Sequence, residues 1–107
     1  MELLNKVELI GIVGSVKMSR MGETLCARLS VVTNYSHRDS RGCAVVETTW
    51  HNVVAFDGSG DSRLERIGKG DCLRVLGRLR NVRFREQDGT ERCITEIMAD
   101  ALEIIYK

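Results

Sequence analysis

The chain has no proline, no repeat and no low-complexity stretch, so nothing in it marks a linker, and its 107 residues fit a single domain over 1–107. It has no C-x-x-C pair: Cys26, Cys43, Cys72 and Cys93 stand 17, 29 and 21 residues apart, and neither histidine lies at a ligand offset. That spacing argues against a metal site and leaves Cys26 and Cys72, with their apolar neighbours, as buried free thiols. The opening MELLNKVELIG lacks a cationic leader and a cleavage site, and no run approaches the roughly 20 apolar residues of a membrane span. A cytoplasmic chain with reduced thiols and no membrane association is the expectation. Catalytic groups are also missing. There are two histidines, no paired carboxylates in a motif and no nucleophile beside a base, and GSVKMSRMG has glycines and a lysine without Walker spacing. The expected protein is not an enzyme and uses no cofactor.

Aromatic residues are scarce as well, five in all, yet the segment TTWHNVVAF (48–56) contains two of them, Trp50 and Phe56. On a strand, alternation puts Trp50, Asn52, Val54 and Phe56 on one face and His51, Val53 and Ala55 on the other. One reading buries the two rings and leaves His51, Val53 and Ala55 in water. The other packs Val53 and Ala55 inside and exposes Trp50, Asn52 and Phe56 as a platform. Composition alone does not choose, although eleven Val, seven Ile and ten Leu can fill a core without the rings.

What is present reads as strands. NKVELIGIVGSVKMSR (5–20) is β-branched and punctuated by Gly11 and Gly14, which suit bulges or bends. TLCARLSVVTN (24–34) alternates as a half-buried strand, and the intervening MGE makes the pair a hairpin. YSHRDSRGCAVVE (35–47) reads as a long mobile hairpin loop before the TTWHNVVAF strand. DGSGDSRLERIGKG (57–70) carries a capping box, Ser62 with Glu65, and apolar Leu64 and Ile67 at i, i+3, enough for one short helix. DCLRVLGRLRNVRFRE (71–86) and ERCITEIMADALEIIYK (91–107) are long strands around an Asp-Gly turn in QDGT. The fold class is therefore all-β: a five-stranded OB-fold Greek-key barrel with one short helix between strands 3 and 4 and long β-hairpins.

A formal charge of +1 gives no global sign of a polyanionic partner, but Lys69, Arg74, Arg78, Arg80, Arg83 and Arg85 face a single acid, Asp71, in 69–85, a local balance of +5. Along that strand Leu73, Val75, Gly77 and Leu79 form the expected core face. Arg74, Arg78, Arg80, Val82 and Phe84 form the outer one. A solvated face explains charges, but a ring exposed among arginines adds nothing to folding. Rings beside cations suit single-stranded nucleic acid, whose bases stack while Lys and Arg neutralise the backbone.

Taken in order, NKVELIGIVG, TTWHNVVAF, IGKGDCLRVLGRLR and TEI resemble the bacterial single-stranded DNA-binding protein family. The resemblance implies an OB-fold subunit assembled as a homotetramer, or as a dimer, that wraps single-stranded DNA in replication, recombination or repair, in a cytoplasmic, nucleoid-associated setting. It places Trp50, Phe56 and Phe84 at base-stacking positions, Lys6, Lys69, Arg80 and Arg83 at backbone contacts, and His51 at a subunit contact. Arg78 joins them from the strand pattern. The sequence departs from the family where His37 replaces a loop tryptophan, with Tyr35 nearby as a substitute, and where Asn52 replaces a common basic residue. It also stops at EIIYK, without the flexible tail and acidic tip that recruit replication proteins in that family, so recruitment is not carried over. The competing expectation is an OB-fold protein-interaction subunit of a replication or primosome complex that binds DNA weakly.

Overall fold

The computed structural model describes residues 1–57 and 63–106; Ser62 of the expected capping box and Lys107 lie outside them. Five strands are present: β1 (Val7–Met21), β2 (Thr24–Arg38), β3 (Ala44–Asp57), β4 (Cys72–Arg85) and β5 (Glu91–Tyr106). They pair in the ring order β1-β2-β3-β5-β4, with β4 returning to β1. Four of the five junctions are antiparallel ladders. The fifth, between β3 and β5, is parallel and holds two residue pairs, Val53–Ile97 and Val54–Met98.

The ring is a closed barrel of mixed pairing, and what the structure corrects is the expected short helix. The architecture is an OB-fold-like mixed five-stranded sheet whose circuit is completed only at that short parallel junction. The helix is a single 3-10 turn, Arg63–Arg66, held by the Ile67 amide donating to the Leu64 carbonyl at 3.1 Å. Its apolar pair, Leu64 and Ile67, is nevertheless buried against the sheet. Behind the turn, the Gly70 amide donates to Val13 at 2.8 Å and the Val13 amide to Asp71 at 2.9 Å, docking the segment on β1.

The stretch expected as a mobile loop is mostly ladder. β2 and β3 pair without interruption from Leu25–Asp57 to Arg38–Ala44. Only residues 39–43 turn, and the Asp39 carboxylate accepts from the amides of Arg41 at 2.8 Å and Cys43 at 2.9 Å. The polar composition of 35–47 misled because both faces of this ribbon meet water, so no apolar alternation marks it. The Asp-Gly turn forms as expected: Gly89 N–H donates to Glu86 at 3.0 Å, and the Thr90 amide donates to the Asp88 carboxylate, holding that carboxyl below its usual range.

The core is aliphatic. Val13, Leu25, Ala27, Leu29, Val31, Val53, Ala55, Leu73, Val75 and Ile97 fill it, each strand contributing alternate positions. Leu79 does not join them and is 48% exposed. The reason is topological: β1 covers β4 only as far as the Val7–Gly77 pair, and beyond it β4 and β5 continue as a two-stranded ribbon. The Asn5 amide adds one position to that edge, donating to the Leu79 carbonyl and accepting from the Leu79 amide, both at 2.8 Å. Cys26 is buried as expected, whereas Cys72 is half-buried.

Gly77 sits where β4 shifts register, against the backbone carbonyl of Met98. A side chain there would collide with backbone, not with a movable side chain. Gly77→Ala is expected to lower unfolding free energy by about 1–3 kcal/mol, the usual range for overpacking, as measured by denaturant titration. A second expectation concerns acid. His51 accepts or donates one hydrogen bond with Thr33 Oγ1 at 2.8 Å, and burial lowers its pKa from 6.5. As pH falls past that value the unfolded chain takes up the proton first, so stability declines on the acid side of about pH 6.5. The thermal midpoint should fall between about pH 7 and about pH 5, with less slope in His51→Gln.

Candidate nucleic-acid interface

With the interior closed to rings, all five aromatic residues are exposed: Tyr35, Trp50, Phe56, Phe84 and Tyr106. This decides between the two readings of TTWHNVVAF. Val53 and Ala55 are buried, His51 lies half-buried on their side, and Trp50 and Phe56 project outward at 59% and 49% exposure. Asn52 lies between them on the same outer face. Val54 shares that face yet is buried, forming a second small cluster with Cys26 and Met98 outside the main core.

Trp50 has a built seat. Its ring reaches across β2 and lies over Gly14, where β1 shifts register; a Cβ at Gly14 would overlap the six-membered ring. Ser15 and Ser30 share a hydrogen bond of 2.7 Å beside it. The turn carrying Lys69 docks on Val13, the neighbour of Gly14.

Cations complete this face. Arg28 on β2 pairs in register with Val54, crosses β3, and donates to Glu96 on β5 at 2.9 Å. Arg80 on β4 donates to the other carboxylate oxygen of Glu96, also at 2.9 Å. Burial alone would raise the Glu96 carboxyl, but the hydrogen bonds and charges of Arg80 and Arg28 outweigh it and hold the group below its ordinary range. Arg78 is paired with Asp100 at 3.1 Å. Lys6 stands one residue beyond the Val7–Gly77 pair and is exposed. Phe84, 41% exposed, shares the strand parity of Arg80, farther along the β4–β5 ribbon.

Not every expected residue is brought to this face. Arg83 is on the opposite parity of β4 from Arg80 and Phe84, next to Cys93. Tyr35 and His37 stack on each other, with centroids 5.7 Å apart, and His37 Nε2 lies 3.1 Å from a Glu47 carboxylate oxygen. Their parity on β2 is that of Leu29 and Val31, so the ribbon turns them away from the Trp50 side. Two cations were missed. Lys17 and Arg28 line one groove of about 290 Å³ with Asn52 and Glu96, and their outward parity opposite Val16, Leu29 and Val31 was the available signal. Among the described residues no group of three metal-ligating side chains converges, and no helix is long and apolar enough to cross a membrane.

Residues 4–105 match the Single-strand binding protein family. A Single-stranded DNA-binding protein of Xylella fastidiosa (strain Temecula1) is 33% identical over 95% of this chain and 63% of its own length. One from Xanthomonas campestris is 32% identical over 95% of this chain and 60% of its own length, so the chain spans about three fifths of these curated relatives. Among solved structures, a Plasmodium falciparum SSB complex with ssDNA superposes with a TM-score of 0.79 at 28% identity, covering 100% of this chain and 97% of that one. The single-stranded DNA binding protein from Thermus aquaticus, as a deletion mutant, superposes with a TM-score of 0.81 at 21% identity, over 95% of this chain and 50% of that one, a likeness of fold. With the family match running through nearly all of its length, the chain belongs to the Single-strand binding protein family.

Proposed function

We propose that this protein binds and protects single-stranded DNA without reading its sequence, stacking bases on Trp50, Phe56 and Phe84 and neutralising the backbone with Lys6, Lys69, Arg78 and Arg80. The observation that carries the reading is the complete exclusion of rings from the core, with two of them on one face of β3 beside a belt of arginines. Stacking on a ring face is open to every base, and each stack contributes about 1–3 kcal/mol. Base-edge readout is not needed. Asn52 stands between the rings as a polar contact, while Tyr35, His37 and Arg83 serve strand paths that leave the central face. Replication, recombination and repair are the processes that expose such a strand.

Assembly as a homotetramer belongs to the same proposal. Ile10 and Ile12, exposed on the outer side of β1, support a subunit contact in that region; the part given to His51, which lies on the other face of its strand, follows from the family resemblance. Light scattering with and without oligonucleotide measures the stoichiometry.

Trp50 is the only tryptophan, so its fluorescence reports directly on its own stacking. Titration with oligo-dT should quench it, and raising salt should weaken binding. Trp50→Ala and Phe56→Ala, followed by mobility shift, should each weaken binding roughly five- to hundredfold. Absence of quenching and of a shift at low salt would reject the proposal. Gly14→Ala gives a subtler test: the added methyl displaces the ring and not backbone. Its thermal midpoint should stay near the parent value while the quenching amplitude and affinity fall.

A further inference from the structure

Glu96 is an acid where a polyanion is expected to pass, and its side chain is only 3% exposed although its strand parity points outward. Each of its oxygens takes one guanidinium. The two arginines stay open to solvent, with side chains 57% exposed for Arg28 and 42% for Arg80. A carboxylate buried under two exposed cations is a poor device for stability alone, because its desolvation offsets much of the attraction. It is a good device for holding two forks still. Each guanidinium has five N–H donors, and Glu96 engages an Nη of each while the planar groups remain presented outward.

The position of the pair is as telling as its chemistry. Arg28 crosses β3 at Val54, about 13 Å along the strand from Trp50 and about 7 Å from Phe56 at a strand's rise per residue. A strand stacked on both rings must carry its backbone over this crossing. We propose that Glu96 is a positioning residue whose buried carboxylate holds Arg28 and Arg80 as one paired seat for a backbone phosphate of single-stranded DNA, between the Trp50 and Phe56 stacks. The inference rests on the DNA-binding reading above and adds a ligand group, a phosphodiester, and two residues, Arg28 and Glu96, to it. Lys17, lining the same groove, adds charge to the seat without contacting Glu96 in this arrangement.

Two accounts of Glu96 predict opposite signs. If only charge counts, Glu96→Gln removes a negative group and tightens binding to oligo-dT. If Glu96 positions the arginines, Glu96→Gln weakens binding despite the added positive charge, and the slope of log affinity against log salt flattens by about 0.7 for each phosphate no longer neutralised. Titrations should be read by Trp50 quenching, with thermal melts to establish folding. Arg28→Met, at an exposed position, keeps the apolar stem over Val54 and should flatten the slope by the same step. Adding it to Glu96→Gln should cost little more than Glu96→Gln alone. Tighter or unchanged binding by folded Glu96→Gln overturns the inference; if that variant does not fold, an unchanged slope in Arg28→Met overturns it. Trp50→Ala, which has no tryptophan left and is followed by mobility shift beside the parent, separates the two levels. If it binds as the parent does, the stacking reading fails; if it weakens binding while Glu96→Gln and Arg28→Met keep the parent slope, only the phosphate seat fails.

Discussion

β3 and β5 run side by side for two residue pairs, and closure of the five-stranded ring depends on that junction. Without it, β1 to β3 on one side and β4 with β5 on the other would be joined through the β1–β4 ladder alone. Backbone hydrogen bonds contribute little there, so side chains do the joining from both faces. Inside, Val53 and Ile97 belong to the main core; outside, Val54 and Met98 pack with Cys26. Over that outer cluster the Arg28–Glu96–Arg80 belt links β2, β5 and β4 across β3. The weakest ladder in the sheet is thus where the outer face acquires its most ordered charges, and structure and proposed binding draw on the same residues.

A small interior has a second consequence. The interior is filled by Val, Ala, Leu and Ile, and no ring of the described residues is buried in it. An exposed large ring normally loses the roughly 1.5–3 kcal/mol that burial would supply. Here that loss falls on all five aromatics at once, which folding alone does not explain. The proposed stacking would cover three of them, Trp50, Phe56 and Phe84, in the bound state, while Tyr35 stacks on His37. Gly14 fits this account: it shapes the outside of β1 to the Trp50 ring, a fit that adds nothing to the core.

Much of this was legible in the residues, because alternation is a local property. The parity of TTWHNVVAF assigned Trp50 and Phe56 to one face and Val53 and Ala55 to the other, and Gly14 marked a true register shift, whereas Gly11 pairs regularly with Leu73. What failed were inferences needing the partner strand. Leu79 has core parity but lies past the end of β1's cover, and the length of that cover is set by pairing, not by Leu79's neighbours. The ribbon at 35–47 looked like loop because neither face is buried. Arg83 was expected from the family resemblance, and the pairing sets it on the face opposite Arg80 and Phe84, as strand alternation alone implies. Lys17 and Arg28 were missed because single cations in apolar strands attract no attention until three strands bring them into one groove.

The run of positive charge in 69–85 shows the same difference between chain and sheet. Antiparallel pairing sets that strand against the acidic one that follows, so Arg74 lies opposite Glu103, Arg80 opposite Glu96 and Arg85 opposite Glu91. A local balance of +5 becomes, across the two strands, a largely compensated surface. The compensation is uneven, however. Asp100, Glu103 and Glu8, whose carboxylate accepts from Arg74 Nε at 2.7 Å, are exposed, and ion pairs of that kind contribute about 0–1 kcal/mol and are screened by salt. Arg74 and Arg78 can therefore exchange a carboxylate for a phosphate at little cost. Glu96 is buried and cannot be exchanged so cheaply, since freeing it would leave an unpaired charge out of water. In the proposed seat its arginines would meet a phosphate while still holding the acid, so geometry, and not net charge, is expected to govern that contact.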